Sequence, residues 1–272
     1  MKLSELKCIA VDMDGTFLSS SMEYNRERFE YLYQKMKKRG ITFIVASGNQ
    51  YQQLKSFFPK FEDEMIFVAE NGGIVVDKKE YIFHSDMPRD VVNVVLKNYW
   101  GKEDVLTVVA TTVGTFIKRN STFYAEANKY AHVLMEIDDI DEIDVPIVKI
   151  NIAFDGDGKL TDEHMDRLKE MVDGKLTVVT SGHGSIDVIS SVVDKSTSIE
   201  LVGKKYGFDW SNTMVFGDGG NDLTMLRKAA YSYAMANGSD LVKQTAKYQA
   251  KSNNDEGVLE VIDQWLTNET DE

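Results

Sequence analysis

Two aspartates separated by one residue, Asp12 and Asp14, stand directly after a short apolar run at residues 8–11. An apolar run of this length that stops at a carboxylate is typical of a buried parallel strand. A turn after the strand could aim both carboxylates at one bound group, and Gly15 would let the backbone turn sharply. Asp12 would then attack phosphorus and Asp14 would transfer the proton. An Asx-type turn that only ends the strand explains the same residues equally well.

A second acidic cluster, Gly217-Asp218-Gly219-Gly220-Asn221-Asp222, follows another apolar run and precedes an amphipathic segment. Two more carboxylates near the first pair would repel them unless a cation neutralised the group. Oxygen ligands with room for water favour Mg²⁺ as that cation. The alternative is a glycine-rich helix entry capped by Asp or Asn. A P-loop is excluded because the cluster lacks Gly-Lys-Ser/Thr.

Two smaller features could bind an anion. Ser47 and Gly48 end an apolar run and offer a hydroxyl and backbone N–H groups, and Lys195 begins an amphipathic segment. Taken alone, the Ser-Gly pair is more often a turn and the lysine more often a solvated surface residue. Together with the two acidic clusters, however, they complete the set of groups that a phosphoryl-transfer site requires.

These clusters need a sheet that brings strand ends together. Apolar runs predict strands at 8–11, 41–46, 66–69, 213–216 and 233–235, and helical periodicity predicts helices at 24–39, 51–58, 196–206, 223–230 and 258–266. Alternating strands and helices imply right-handed crossovers and an α/β fold with a doubly wound, Rossmann-like parallel sheet. Such a sheet binds ligands at the carboxyl ends of its strands, where every polar cluster stands.

The middle of the chain has a different pattern. It predicts helices at 90–98, 125–135 and 162–172, and strands at 106–110, 115–118, 147–154, 177–180 and 186–189. Strands in adjacent pairs favour an antiparallel sheet with helices on one face, which would be an inserted α+β domain. We therefore expect a core domain of residues 1–83 and 191–272, with residues 84–190 inserted into it.

Charge and composition limit the partners. The 272 residues include 31 Lys and Arg against 44 Asp and Glu, a net charge of −13, which repels nucleic acid and anionic lipid. Cys8 is the single cysteine, which fits a reducing compartment. The sequence contains neither a signal-peptide pattern nor a run of about 18 apolar residues. We expect a cytoplasmic protein with no nucleic-acid or membrane partner and no evident obligate protein partner.

The four clusters occur in the order of a known superfamily. Asp12-x-Asp14-Gly15-Thr16, Ser47, Lys195 and Gly217-Asp218-x-x-Asn221-Asp222 resemble the four motifs of the haloacid dehalogenase (HAD) superfamily, and the resemblance covers essentially the whole chain. The insertion after the second motif is similar to that of the Cof-type, class IIB, subgroup with its α/β cap domain. Residues 46–51, 56–59 and 68–72 look like bacterial sugar phosphatases of the YbiV/SupH type.

The resemblance implies a role for each motif residue. It makes Asp12 the nucleophile that forms an aspartyl-phosphate, and Asp14 the acid for the leaving sugar oxygen and then the base for water. It implies Mg²⁺ held by the carboxylates of Asp12 and Asp218 and the backbone carbonyl of Asp14. The implied phosphate-binding groups are the Met13 backbone, Ser47, the Gly48 N–H, Lys195 and the Asn221 amide, and the implied supporting residues are Asp222 and Thr16.

The predicted function is a Mg²⁺-dependent phosphatase, a phosphoric monoester hydrolase, that acts on small phosphorylated sugars and excludes water when its cap closes. A phosphohexomutase, which would keep the aspartyl-phosphate while the sugar reorients, is one alternative. Others are a polyphosphatase and a broad-specificity phosphatase for other small phosphometabolites such as pyridoxal phosphate. A binding or regulatory protein without turnover is a further alternative, and the complete set of catalytic residue types argues against it.

Two further features are interpreted as loops. Residues 155–159 begin like a calcium-binding loop, but Lys159 and Leu160 stand where an oxygen ligand and a glycine are required. His183, in the segment Ser181-Gly182-His183-Gly184-Ser185, is interpreted as part of a solvated loop, with contact to the sugar as the alternative.

Overall fold

The structure is a computed structural model, and it describes residues 6–154, 162–180 and 185–267. The predicted loops at residues 155–159 and around His183 lie outside the described residues. Within the described part of the chain, no helix has the length and apolar character needed to cross a membrane.

The described residues form fourteen strands and nine α-helices. The strands are β1 (Cys8–Val11), β2 (Thr42–Ala46), β3 (Ile66–Ala69), β4 (Ile74–Asp77), β5 (Glu80–His84), β6 (Val105–Thr111), β7 (Thr115–Lys118), β8 (Leu134–Ile137), β9 (Ile147–Phe154), β10 (Leu176–Thr180), β11 (Ser185–Ser190), β12 (Thr213–Gly217), β13 (Tyr231–Met235) and β14 (Tyr248–Ala250). The helices are α1 (Arg26–Lys38), α2 (Tyr51–Ser56), α3 (Arg89–Tyr99), α4 (Tyr124–Tyr130), α5 (Asp162–Val172), α6 (Lys195–Tyr206), α7 (Leu223–Lys228), α8 (Asp240–Thr245) and α9 (Gly257–Thr267).

The chain divides into two compact units. The first contains Met1–Ser47 and Lys195–Glu272, and the second contains Gly48–Asp194. The segment 84–190, predicted to be an inserted domain, falls within the second unit, which also contains residues 48–83. The domain boundaries predicted after residues 83 and 190 stay a prediction.

The first unit is built on five parallel strands in the order β14-β13-β12-β1-β2. The chain moves from β1 to β2 in one direction, and from β12 through β13 to β14 in the other. Because such crossovers are right-handed, α1 is expected on one face of these strands and α7 and α8 on the other. In agreement, α1 packs against α9, whereas α7 packs against α6 and α8. The predicted doubly wound α/β fold is therefore confirmed.

Helix α1 illustrates how local sequence sets an element of this unit. Its N-cap Asn25 accepts a hydrogen bond from the backbone N–H of Arg28, and three lysines lie in its last turn, where they interact favourably with the helix dipole. Its buried face consists of Phe29, Leu32, Tyr33 and Met36, at the predicted helical spacing. Burying each of these side chains stabilises the fold by about 1.5–3 kcal/mol.

The second unit contains an antiparallel ribbon, β3-β4-β5, and a six-stranded sheet in the order β10-β11-β9-β6-β7-β8. The pairs of the six-stranded sheet are antiparallel except for β7 and β8, which are parallel. Helices α3 and α5 pack on the face that carries Val105, whereas Ala127 of α4 packs with Leu106. Because successive strand residues point to opposite faces, the prediction that all helices lie on one face is wrong for α4.

The helix predicted at 125–135 is also wrong in its second half. Helix α4 ends at Tyr130, and residues 134–137 form β8, in which Met135 pairs with Phe116 of β7. Short apolar runs fit both periodicities, and pairing with a neighbouring strand selects the strand here. The sequence analysis did not predict β4, β5, α8 and β14.

Candidate active site

The register of three neighbouring strands places the polar clusters of the first unit at one edge. Val11 at the end of β1 lies opposite Val45 of β2 and Phe216 of β12. The residues that follow these strands, Asp12, Ser47 and Asp218, therefore emerge at the same carboxyl edge, where doubly wound sheets bind ligands.

The turn after β1 is closed by its own backbone. The N–H groups of Thr16 and Leu18 donate to the carbonyl of Met13 at 3.2 and 2.9 Å, and the N–H of Phe17 donates to the carbonyl of Asp12 at 3.2 Å. The Met13 side chain is buried, which anchors the turn in the core. These contacts fix the backbone of the turn that carries Asp12 and Asp14.

Lys195 connects the first and last motifs. Its Nζ lies 2.6 Å from Oδ1 of Asp12 and 2.7 Å from Oδ1 of Asp222, and its side chain is fully buried, as is that of Asp222. The predicted alternative, a solvated surface lysine, is wrong for this position. A buried ammonium shared by two carboxylates fixes the orientation of all three side chains.

Asp222 holds the turn after β12. Its Oδ2 accepts hydrogen bonds from the backbone N–H groups of Asp218 and Gly219, both at 3.0 Å, while its Oδ1 accepts from Lys195. Both carboxylate oxygens are thus engaged. Asp222 therefore orients the turn and the lysine.

Asp218 is fixed by the first motif. Thr16 Oγ1 donates to Oδ1 of Asp218 at 3.0 Å. Gly15, with φ +74°, lies so close to Asp218 that a Cβ at this position would overlap its Oδ2 and lie 2.9 Å from its Cγ. Two reasons therefore require glycine at position 15: the left-handed backbone conformation and the short distance to the Asp218 side chain.

The carboxylates suit a divalent cation. Asp12, Asp218 and Asp222 each place a carboxylate oxygen within 4.8 Å of the others. Among the described residues, no hydrogen bond reaches Oδ2 of Asp12 or Oδ2 of Asp218, whereas Asp222 has both oxygens bonded. Two free carboxylate oxygens, from Asp12 and Asp218, fit a hard cation that prefers oxygen ligands.

Burial and the short distances between these charges also shift the pKa values of several site residues. Burial, together with the charges of Asp222, Asp218 and Asp14, raises the pKa of Asp12 well above its usual range, against the opposing effect of Lys195. Burial and the charge of Asp222 raise the pKa of Asp218 to about 6. Burial lowers the pKa of Lys195, but its two carboxylate partners outweigh burial and raise it. A cation at the free oxygens would favour the ionised carboxylates.

The remaining predicted site residues are placed as follows. Asp14 is half-buried, and its charge acts on both Asp12 and Asp218. Asn221 lies in the 3₁₀ turn Gly220–Asp222, and Ser47 is buried directly after β2. Gly48 follows Ser47 in the chain and begins the second unit. The roles of these residues in binding phosphate stay predictions.

The sequence analysis missed a supporting loop after β13. Asn237 Nδ2 donates to the carbonyl of Gly15 at 2.7 Å, and the N–H of Ser239 donates to the carbonyl of Asp218 at 3.1 Å. This loop therefore joins the first and last motifs. The segment Asn237-Gly238-Ser239, a turn sequence just after a predicted strand, was the signal that could have found it.

Three comparisons agree with this architecture. A sequence model of the haloacid dehalogenase-like hydrolases matches residues 9–262. The 5-amino-6-(5-phospho-D-ribitylamino)uracil phosphatase YbjI of Escherichia coli K12 is 41% identical over 266 residues, which cover 97% of this chain and 97% of that protein.

Two solved structures are similar over nearly the whole chain. SMU.1108c from Streptococcus mutans UA159 has a TM-score of 0.86 at 30% identity, covering 96% of this chain and 99% of that one. The HAD subclass IIB sugar phosphatase BT4131 has a TM-score of 0.79 at 19% identity, covering 95% and 98%, and this second likeness shows the fold alone.

Proposed function

Since this chain belongs to the haloacid dehalogenase-like hydrolases and is a phosphoric monoester hydrolase, we propose that it is a Mg²⁺-dependent phosphatase that works through an aspartyl-phosphate on Asp12. The observation that carries the proposal is the position of this carboxylate. Lys195 holds its Oδ1 at 2.6 Å, while its Oδ2 has no hydrogen-bond partner among the described residues. An oriented carboxylate with one free oxygen is suited to attack phosphorus.

The first step transfers the phosphoryl group. Oδ2 of Asp12 forms a bond to phosphorus as the bond from phosphorus to the ester oxygen breaks. Asp14 gives its proton to that oxygen, and the alcohol leaves. Half-burial of Asp14 suits this role, because the group must meet both a leaving oxygen and water.

The second step releases phosphate. The carboxylate of Asp14 removes a proton from water, and the water oxygen forms a bond to phosphorus as the bond to Asp12 Oδ2 breaks. Inorganic phosphate leaves, and both aspartates return to their starting states. The same residue acts first as the acid and then as the base.

Charge stabilisation provides most of the rate enhancement in phosphoryl transfer. Lys195 supplies a buried positive charge beside Asp12. The Met13 backbone, Ser47, the Gly48 N–H and Asn221 are the further groups that we assign to the phosphoryl oxygens. The carboxylates of Asp12 and Asp218 and the Asp14 carbonyl would hold Mg²⁺, which would neutralise charge on those oxygens.

The proposed substrates are small phosphate monoesters of polyhydroxy chains. Sugar phosphates belong to this class, and so does the phosphoribityl chain after which the E. coli relative is named. A net charge of −13 repels large polyanions, so a small substrate fits better than a nucleic acid. We further propose that residues 84–190 act as the cap domain and that the protein works in the cytoplasm.

Phosphate release from a panel of esters tests the function. The panel should contain hexose, pentose and triose phosphates, pyridoxal phosphate and 5-amino-6-(5-phospho-D-ribitylamino)uracil, each assayed with Mg²⁺. Turnover of at least one ester supports the proposal and ranks the substrates. If no ester is hydrolysed, but a sugar phosphate is isomerised once a bisphosphate activator is added, the protein is a mutase instead.

Removing the divalent metal is expected to abolish turnover. Excess EDTA should lower phosphate release to the uncatalysed level, because Asp12 and Asp218 would lose the cation that orients them and neutralises charge on the phosphoryl oxygens. Adding Mg²⁺ beyond the chelator should restore activity and raise the thermal midpoint, since a ligand that binds only the folded state stabilises it. Activity that persists in EDTA after exhaustive dialysis would contradict the metal requirement.

Gly15→Ala is expected to impair catalysis beyond its effect on stability. Alanine at φ +74° costs about 1–2 kcal/mol of backbone strain, and its Cβ would also push Asp218 aside, so activity should require more Mg²⁺. Gly40→Ala is the matched control, because φ is +69° there and a Cβ meets no atom of the described residues within 4 Å. Urea unfolding should show a loss of stability in both variants, larger in Gly15→Ala because of the overlap with Asp218, and only Gly15→Ala should require more Mg²⁺. Equal Mg²⁺ requirements in the two variants would show that the short distance between residue 15 and Asp218 does not matter for metal binding.

A further inference from the structure

A buried polar cluster surrounds the backbone of Gly48 within the second unit. Its members come from β9, β11 and the 3₁₀ turn after β3, and we call it the Lys149 cluster: Lys149, Glu70, Asn71 and Asp187. Their exposed fractions are 9, 3, 2 and 1%, respectively. Charged residues are almost never this deeply buried without a specific partner, so the partners of these charges show which part of the chain the cluster holds.

Lys149 binds the loop that follows Ser47. Its Nζ donates to the carbonyl of Gly48 at 2.5 Å and lies 2.6 Å from Oε2 of Glu70. Asp187 is farther away, with its Oδ2 at 4.0 Å. The ammonium therefore bonds a backbone carbonyl 101 residues away in the chain as well as its carboxylate partner.

Asn71 packs on the same glycine from another side. Its Nδ2 donates to Oδ2 of Asp187 at 2.6 Å, and its Oδ1 would lie 3.0 Å from a Cβ at Gly48. Glu70 and Asn71 both have left-handed backbones, with φ of 51° and 56°. Two consecutive strained residues persist only where their surroundings hold them, and such strain concentrates at functional sites.

The loop is also held beyond Gly48. The N–H of Glu70 donates to the carbonyl of Asn49 at 3.1 Å. The Gln50 side chain donates to Thr115 Oγ1 and to the carbonyl of Val133, both at 3.0 Å, and accepts from the N–H of Val133 at 2.9 Å. Three successive residues, 48–50, are therefore held through backbone or side-chain hydrogen bonds.

Stability alone does not account for this arrangement. Burying an ammonium with two carboxylates carries a large desolvation penalty, and well-packed apolar residues are often as stable or more so. Gly48, however, has no side chain to restrict its backbone, so external contacts must set its conformation. The Lys149 cluster supplies such contacts at the residue whose N–H we assign to the substrate phosphate.

We propose that Lys149 is a positioning residue for phosphate binding, which it supports by holding the carbonyl of Gly48 and thereby the turn formed by Ser47 and Gly48. The inference rests on the proposed function, because that function makes the turn a phosphate-binding element. Lys149 itself acts through the backbone of Gly48. Its loss therefore impairs the binding of every phosphate ligand, whatever the rest of the substrate.

The test separates the Gly48 contact from the ion pair. Glu70→Gln removes the ion pair and keeps the lysine, whereas Glu70→Gln combined with Lys149→Met removes both charges and leaves no unpaired Glu70 carboxylate. Both variants thus lack the ion pair with Glu70, and they differ in the bond to Gly48 and in the ammonium that lies 4.0 Å from Asp187. The measured quantities are kcat, KM and the dissociation constant of inorganic phosphate, determined by titration calorimetry with Mg²⁺ present at a temperature where circular dichroism shows both variants folded.

The double variant is expected to bind inorganic phosphate about tenfold more weakly than Glu70→Gln, the equivalent of one lost hydrogen bond. Its kcat/KM should fall by on the order of 10²-fold, as expected for a misplaced binding group. Equal phosphate affinity in the two variants would overturn the inference, since a purely structural role lowers stability without changing the affinity of the folded fraction.

The failure of the proposed function would look different. In that case the wild-type protein would hydrolyse no ester, while the comparison of phosphate affinities between the two variants would still decide the role of Lys149. A wild-type protein that binds no inorganic phosphate would overturn the inference directly, because Lys149 would then have no phosphate site to position.

Discussion

Asp12→Asn is expected to reduce phosphate release by at least about 10⁴-fold. The catalytic residues act as a unit, so removing the nucleophile alone abolishes nearly all of the catalysis. The amide cannot form the aspartyl-phosphate. The fold should survive, because Lys195 keeps its contact with Asp222 at 2.7 Å and one of three crowded carboxylates is neutralised. Steady-state phosphate release and circular dichroism measure the two effects.

Asp14→Asn is the matched control for the nucleophile. With p-nitrophenyl phosphate, whose leaving group needs no proton, it should still accept the phosphoryl group and then release it slowly. Acid quenching with a radiolabelled phosphoryl donor should therefore trap labelled protein in Asp14→Asn but none in Asp12→Asn. Label on Asp12→Asn, or wild-type turnover by it, would rule out Asp12 as the nucleophile.

Lys195→Met is expected to destabilise the metal-free protein by about 3–5 kcal/mol, the usual effect of removing one partner from a buried ion pair. Asp12 and Asp222 would then face each other without the ammonium that lies 2.6 and 2.7 Å from them. Urea unfolding in EDTA measures the loss. Phosphate release should also disappear, because the substrate loses the positive charge beside the nucleophile.

An exposed lysine provides the control for this prediction. Lys228 also forms an ion pair, with Glu200 at 2.9 Å, but the two side chains are 39 and 41% exposed. Lys228→Met should change the free energy of unfolding by only about 0–1 kcal/mol. If Lys195→Met is too unstable to purify, the addition of Asp222→Asn should recover part of the stability. A Lys195→Met protein as stable as Lys228→Met would contradict the account of the buried pair.

The position of the candidate site could be predicted because its residues stand beside strand ends. Asp12 and Asp218 directly follow apolar runs, and parallel strands of one sheet bring their carboxyl ends to the same edge. The register of β1, β2 and β12 confirms this expectation. The family and the enzyme class were predicted from the resemblance of the four motifs to the haloacid dehalogenase superfamily, and the comparisons confirm both.

The partners of each charge could not be predicted in this way. Lys149 stands in an apolar strand with no motif around it, and its bond to Gly48 spans 101 residues. Such contacts depend on how two elements pack, and periodicity reports only the buried face of one element.

Segments whose sequence fits both a helix and a strand could not be assigned from the sequence either. Residues 134–137 fit a helical period, but β7 offers a free strand edge and they pair with it. The sequence was therefore sufficient to predict the parallel sheet and to propose the reacting groups, because both depend on residue types in short local patterns. The supports of those groups, above all the contacts of Gly48, Lys195 and Asp222, depended on packing between distant segments, where burial removes water and makes an exact partner necessary.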